Sequence, residues 1–139
     1  MDDCVRRKLA EGEHLEVFRL VHVSTADDDA LAEDMKSNAA RGRSPRGRES
    51  RHPEIHRGLS VFKKYTQAAE RRRQIAARLQ EQGSDQPVKI GDYVARLTLE
   101  GPGVGYEDRD EPDGHMTIWG DPLRLAGAVT DLSPAERNR

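Results

Sequence analysis

The strongest constraint on the fold is a short apolar run near the N-terminus. Residues 15–23 read LEVFRLVHV, and apolar side chains occupy positions of both parities. A half-buried strand alternates apolar and polar residues, whereas a strand covered on both faces is apolar throughout. We therefore predict a central strand over 15–23, with further structure packed against both of its faces.

Further segments have the composition of strands. The segment DYVARLTLE alternates strictly, with an apolar or aromatic residue at every second position from Tyr93 to Leu99, which is typical of a strand with one buried face. Shorter β-branched and apolar runs between turn residues predict additional strands. The predicted segments are 58–63, 92–100, 115–120 and, less regular, 128–132.

Two main helices are predicted between these strands. Thr25, followed by three aspartates, is typical of a helix N-terminus, and apolar residues recur at every fourth position from Leu31 to Ala39. The second helix runs from Thr66 to Gly83, and a short helical turn follows 121. The element order predicts a single α+β domain, a twisted and mostly antiparallel sheet of four or five strands with two main helices packed on it.

Composition sets the limits of this domain. Apolar residues make up 35% of the 139 residues and charged residues another 35%, so the apolar content is lower than in an average globular domain. We expect a flexible or short helical N-terminus over 1–13 and the folded domain over 14–133. A mobile basic loop is expected at 41–57 and a polar tail at 134–139.

The small number of cysteines and the lack of a long apolar stretch predict the cellular compartment and the absence of membrane contact. Cys4 is the single cysteine, which excludes an intramolecular disulfide and fits a reducing compartment. No apolar stretch approaches the length of a membrane span or of a signal-peptide core. We predict a soluble cytoplasmic protein without membrane contact.

Arg19 is the first candidate site residue. It lies mid-strand on the same face as Val17 and Val21, where an unpaired guanidinium would be too costly to bury. Two interpretations stay open: an ion pair with an acid of the 107–113 loop, or an anion- or cofactor-binding arginine.

Ser60 interrupts the short apolar run LSVF. It is either a packing residue of the strand or a side chain that faces a site. The neighbouring sequence lacks the glycine-flanked turn that usually presents a serine nucleophile, so packing is favoured over catalysis.

The segment GHMTIWGDP contains the only tryptophan of the chain. On a strand, His115, Thr117 and Trp119 share one face, while Met116 and Ile118 share the other. The second pair predicts core packing. The first three predict a polar wall with an aromatic platform, which suits a small ligand or a peptide.

Two weaker candidates lie in the basic loop. Arg43, Arg46 and Arg48 could neutralise phosphates, but no aromatic residues are interleaved to stack on bases. His52 and His56 are four residues apart, yet an intervening proline and polar neighbours argue against the helix that would join them on one face. No metal site is predicted.

Two family resemblances add expectations. The runs VFRLVH, RGLSVF, DYVARLTLE and GHMTIWGDP, within about residues 15–132, resemble a group of short bacterial proteins of unassigned function. The order of strands and helices also resembles the ADP-ribosyltransferase-like fold. In the Arg-Ser-Glu branch of that fold, an arginine, a serine and a glutamate surround nicotinamide adenine dinucleotide (NAD). That resemblance implies that Arg19 and Ser60 bind NAD and that Glu100 is the candidate catalytic residue.

The leading functional prediction is a small bacterial binding or accessory protein. It would engage a protein or a small ligand through the 115–119 strand and the charged loops. The alternatives are an NAD-dependent transferase that uses Arg19, Ser60 and Glu100, and nucleic-acid binding by the 41–51 loop. No cofactor is assigned outside the transferase alternative.

Overall fold

The computed structural model describes residues 5–22, 31–32, 35, 58–83 and 93–135. The strands of this part of the chain are β1 (Val5–Lys8), β2 (His14–Val21), β3 (Leu59–Phe62), β4 (Tyr93–Glu100), β5 (Gly105–Asp108), β6 (His115–Trp119) and β7 (Val129–Pro134). The helices are α1 (Tyr65–Glu81) and α2 (Pro122–Gly127).

All the strands belong to one antiparallel sheet in the order β1-β5-β6-β3-β2-β4-β7. The predicted α+β class and antiparallel sheet are confirmed, but the sheet has seven strands instead of four or five. The two additional strands are β1 and β5. The prediction of a flexible or helical N-terminus is wrong for Val5–Lys8, which form β1.

β1 and β5 are not predicted from the sequence, because neither segment has a regular apolar pattern. They read VRRK and GYED and pair from Val5↔Asp108 to Lys8↔Gly105. The pairing of the two segments in this register therefore defines these strands where an apolar pattern does not.

The sheet closes into a ring. Residues 5–21 run antiparallel to residues 93–108, first as β1 with β5 and then as β2 with β4. At the bend between the two halves, the Leu9 N–H donates to the Val104 carbonyl at 2.8 Å. From β5 the pairing continues through β6 and β3 back to β2. We call the side that carries the main core the inner face and the opposite side the outer face.

Both faces of β2 are covered, as its composition predicts. Val17 and Val21 are fully buried in the inner core. Phe18 and Leu20 pack on the other side in a second cluster that includes Ala68 of α1, and α1 contacts β2, β3 and β4. The helix thus covers the outer face at one end of the sheet and leaves the β5–β6 end to other residues.

The short helix α2 begins where its sequence predicts. Asp121 precedes Pro122, and its carboxylate accepts hydrogen bonds from the N–H groups of Leu123 at 3.1 Å and Arg124 at 3.3 Å. A side-chain cap followed by proline satisfies the first orphan donors of a helix. This cap holds α2 directly after β6.

Some predictions fall outside the part of the chain that the structure describes. Of the predicted 25–40 helix, Leu31, Ala32 and Met35 are described, and Leu31 and Met35 are buried in the inner core. The basic loop 41–57 lies outside the described residues, as does the tail beyond 135. Within the described residues, no helix is long and apolar enough to cross a membrane.

Candidate functional site

The β6 strand presents the predicted polar face. Met116 and Ile118 point into the inner core, as their alternation predicts. His115, Thr117 and Trp119 therefore lie on the outer face. His115 and Trp119 are half-buried, but Thr117 is 4% exposed, so the middle of this face is covered.

Three polar residues stand side by side on the outer face. Ser60 of β3 pairs with Thr117 of β6, which in turn pairs with Glu107 of β5. Glu107 is 2% exposed and pairs with the guanidinium of Arg109. Since neighbours in register point to the same side of a sheet, these side chains form a polar row, defined here as Ser60, Thr117 and Glu107.

Ser60 is the exposed end of the polar row. Its Oγ lies 3.0 Å from Nε2 of His115, which is hydrogen-bonding distance. The imidazole also meets the ring of Phe62 edge-on, with centroids 5.7 Å apart. Ser60 therefore faces a polar site on the outer face and does not pack into the core.

Arg19 joins Ser60 from the neighbouring strand. Its Nη1 donates to the Ser60 carbonyl at 2.7 Å. Strands β2 and β3 share a single pair, Phe18↔Phe62, so the guanidinium supplies a bond where the ladder stops. The ion pair expected between Arg19 and an acid of the 107–113 loop stays a prediction; within that loop, Glu107 pairs with Arg109, and Asp108 pairs with Lys63.

Glu100 does not join Arg19 and Ser60. Arg19 pairs with Ala95, and Glu100 is five residues further along β4, about 17 Å at 3.3–3.4 Å per residue. It also has the opposite parity from Ala95 and therefore points to the other face. Its carboxylate lies 4.0 Å from His14. The structure does not place the three side chains of the transferase resemblance at one site, because Arg19 has the inner-face parity of Val17 and Val21, whereas Ser60 and Glu100 have outer-face parity.

Trp119 lies across two positions that lack side chains. A Cβ at Gly58 would be 3.0 Å from the indole Nε1 and 2.3 Å from the Thr117 methyl. On the other side, a Cβ at Gly105 would be 3.9 Å from Cε3 of Trp119. These glycines on either side of β6 make room for the indole against the sheet.

A concave site adjoins this tryptophan. A cavity of about 690 Å³ opens where β6 ends and β5 begins, within the size range of small-molecule sites. The described residues that line it are Arg7, Lys8, Gly103, Val104, Gly105, Trp119 and Gly120.

Sequence reasoning identified Trp119 but missed the rest of this lining. Lys8 belongs to a strand that was not predicted, and it reaches the cavity through the register Lys8↔Gly105↔Trp119. The available signal was the spacing of glycines in GPGVGYE, since alternating glycines often mark close approach of backbone and ligand.

Two other predicted sites are not described. Arg43, Arg46 and Arg48 lie outside the described residues, and so do His52 and His56. Within the described part of the chain, no three His, Cys, Asp or Glu side chains cluster closely enough to share a metal ion. Nucleic-acid binding by the 41–51 loop stays a prediction.

An ion pair stabilises the β5 end of the sheet. Nζ of Lys63 lies 3.0 Å from the Asp108 carboxylate, which also accepts the Asp110 N–H at 2.8 Å. Burial alone would raise the pKa of Asp108, but the hydrogen bond and charge of Lys63 and the backbone donor outweigh it. The pKa therefore lies below its ordinary value of 3.8.

This ion pair makes stability depend on acidic pH. A carboxyl whose pKa is lower in the folded state stabilises the fold above its unfolded pKa, and this contribution is lost as the pH falls through the folded pKa. We expect Asp108→Asn to lower the free energy of unfolding at pH 7, with a smaller difference from wild type below about pH 4. Urea unfolding at pH 7 and pH 3 measures this; an equal difference at both would contradict it.

Comparisons with known proteins add no relatives. No family model matches the chain, and no curated protein or solved structure is significantly similar to it. The resemblances to short bacterial proteins and to the ADP-ribosyltransferase-like fold stay predictions.

Proposed function

We propose that this chain binds a small ligand with a planar nucleobase-like ring in the cavity beside Trp119. The observation that carries this proposal is the indole over Gly58 and Gly105 at the wall of an approximately 690 Å³ cavity. A large aromatic side chain in a concave, mostly apolar site suits stacking of a planar ring.

Backbone polar groups at the border of the cavity supply the second element of recognition. Gly103, Gly105 and Gly120 line the cavity and place no side chain over their backbone. A few directed polar groups beside an apolar wall fix the orientation of a ligand. A nucleobase has both a stacking face and a hydrogen-bonding edge, so it matches this combination. The polar row is not part of this site, because Thr117 is 4% exposed and none of its residues lines the cavity.

The concave shape favours a small molecule over a protein partner. Protein interfaces are mostly broad surfaces with a buried apolar centre, and the exposed large apolar side chain among the described residues is Leu123. The transferase alternative has in its favour the contact between the Arg19 guanidinium and the Ser60 carbonyl, but this contact does not involve the Ser60 side chain, and Glu100 does not reach Arg19. We therefore propose that the chain binds a small ligand, and we assign it no catalytic step.

The test uses adenosine monophosphate (AMP) as the probe. Because Trp119 is the sole tryptophan, its fluorescence reports directly on the proposed site. We expect saturable quenching of Trp119 and saturable heat in calorimetry. Loss of stacking in Trp119→Leu should weaken binding by about 5- to 150-fold, which corresponds to about 1–3 kcal/mol per stacked base.

Trp119→Phe is the matched control, because it keeps an aromatic face at the same position. It should retain most of the affinity, and circular dichroism should show that both variants are folded. Absence of saturable AMP binding to the folded wild type would overturn the proposal. Full affinity in folded Trp119→Leu would also overturn it.

A further inference from the structure

The cavity beside Trp119 carries positive charge. Its described lining includes Arg7 and Lys8 and no acidic side chain. A concave site bordered by cations favours a ligand with negative charge, because low-dielectric walls strengthen the attraction. This observation is independent of the indole.

Lys8 lies beside Trp119 at the cavity. Measured from the position of a Cβ at Gly105, the Cγ of Lys8 is 4.0 Å away and Cε3 of Trp119 is 3.9 Å away. The lysine stem and the indole therefore flank the same glycine from two sides. Within the described residues, no ion pair occupies the Lys8 ammonium.

Two arginines lie close by. Arg7 lines the cavity, and its Nη2 pairs with Glu13 at 3.2 Å on the surface. Arg124 donates to the Glu100 carbonyl at 2.9 Å, and its Nη1 is 2.8 Å from the position of a Cβ at Gly103. Its guanidinium is thus held against the loop that borders the cavity.

The loop backbone allows close approach to the cavity. Gly103 has a φ of +99°, a conformation that glycine adopts without strain. Gly103 and Gly105 both line the cavity without side chains. Backbone N–H groups in glycine-rich turns are common donors to phosphate oxygens.

We infer that the ligand is a nucleoside phosphate, with its base on Trp119 and its phosphate at Lys8 beside the glycine loop. This inference rests on the proposed function and adds the charged half of the ligand. Lysine binds phosphate as a point charge at the edge of a site, and an exposed Lys8 can follow the phosphate without disturbing the sheet.

The test compares AMP with adenosine, which has the same base and ribose but no phosphate. Calorimetry on the wild type should show that AMP binds at least about tenfold more tightly than adenosine, because a hydrogen bond between charged groups contributes a gain in affinity of this size. Lys8→Glu should remove this preference, so that AMP binds no more tightly than adenosine. Raising the salt concentration should weaken AMP binding and leave adenosine binding unchanged.

Lys64→Glu is the matched control, because it makes the same charge change on an exposed lysine. Lys64 lies near the other end of β6, because the N–H of the preceding residue, Lys63, bonds to the Gly114 carbonyl. That end of the strand is about 16 Å from Trp119 by strand length. Lys64→Glu should keep AMP affinity within about twofold. Lys8→Met serves as a second variant and should lose the AMP preference without introducing a negative charge.

The outcomes separate the two proposals. Equal affinity for adenosine and AMP, both dependent on Trp119, would overturn the phosphate inference and keep nucleobase binding. Equal losses in Lys8→Glu and Lys64→Glu would overturn it as well. AMP binding that depends on Lys8 but not on Trp119 would instead overturn the stacking proposal.

Discussion

Replacing Leu97 by alanine is expected to lower the free energy of unfolding by about 2–5 kcal/mol. Leu97 is fully buried in the inner core, and it pairs with Val17 in the middle of the ring. Truncation removes apolar contact area and leaves a cavity that the closed strands cannot easily fill. Urea unfolding followed by circular dichroism measures the loss.

Leu123→Ala is the matched control for this truncation. Leu123 is 60% exposed at the start of α2, so the same change in side chain should alter stability by about 0.5 kcal/mol or less. A loss below about 1 kcal/mol in Leu97→Ala, or equal losses in the two variants, would contradict the burial of Leu97 inside the ring.

Gly101→Ala is expected to destabilise the bend of the ring by about 1–3 kcal/mol or more. An added Cβ would lie 2.3 Å from the Ala10 carbonyl oxygen and 2.4 Å from that of Leu9. Both are backbone atoms, so the two chain segments would have to separate. Their separation would strain the bond from the Gly101 N–H to the Glu13 carbonyl, which measures 3.0 Å.

Gly127→Ala tests whether the effect comes from the close approach. No heavy atom lies within 4 Å of a Cβ built at Gly127, and alanine is the better helix former. Thermal unfolding should show an unchanged or slightly higher stability for this variant. If Gly101→Ala were equally stable, the backbone contact at the bend would be wrong.

Alternation within single strands was sufficient to predict which side chains share a face. The pattern from Tyr93 to Leu99 predicted the inner face of β4, and Met116 and Ile118 predicted that of β6. This succeeds because side-chain direction in a strand is a local property with a period of two residues.

The partners across strands could not be predicted in the same way. β1 and β5 are recognisable only from their pairing with each other, since VRRK and GYED lack apolar alternation. Buried Glu107 reads as a surface acid in the sequence. Register is a relation between distant segments, so the glycines of GPGVGYE indicate a close approach but do not reveal that Lys8 and Trp119 meet there.

The same limit explains the separation of Glu100 from Arg19. The three residues of the transferase resemblance occur in the expected chain order, but distance along β4 and side-chain parity place Glu100 away from Arg19. The sequence of a segment indicates whether it forms a strand or a helix. The register of the hydrogen-bond ladder determines which residues of different strands lie next to each other.

The closed ring has a consequence for how the chain acquires its structure. Its β2–β4 ladder joins segments far apart in sequence, as in the pair Glu16 and Arg96, which are 80 residues apart. Folds dominated by such non-local pairing typically fold in milliseconds to seconds. During synthesis, β2 has no β4 partner until residues 93–100 have emerged, so its apolar run stays unpaired on that side for this time and is prone to aggregation.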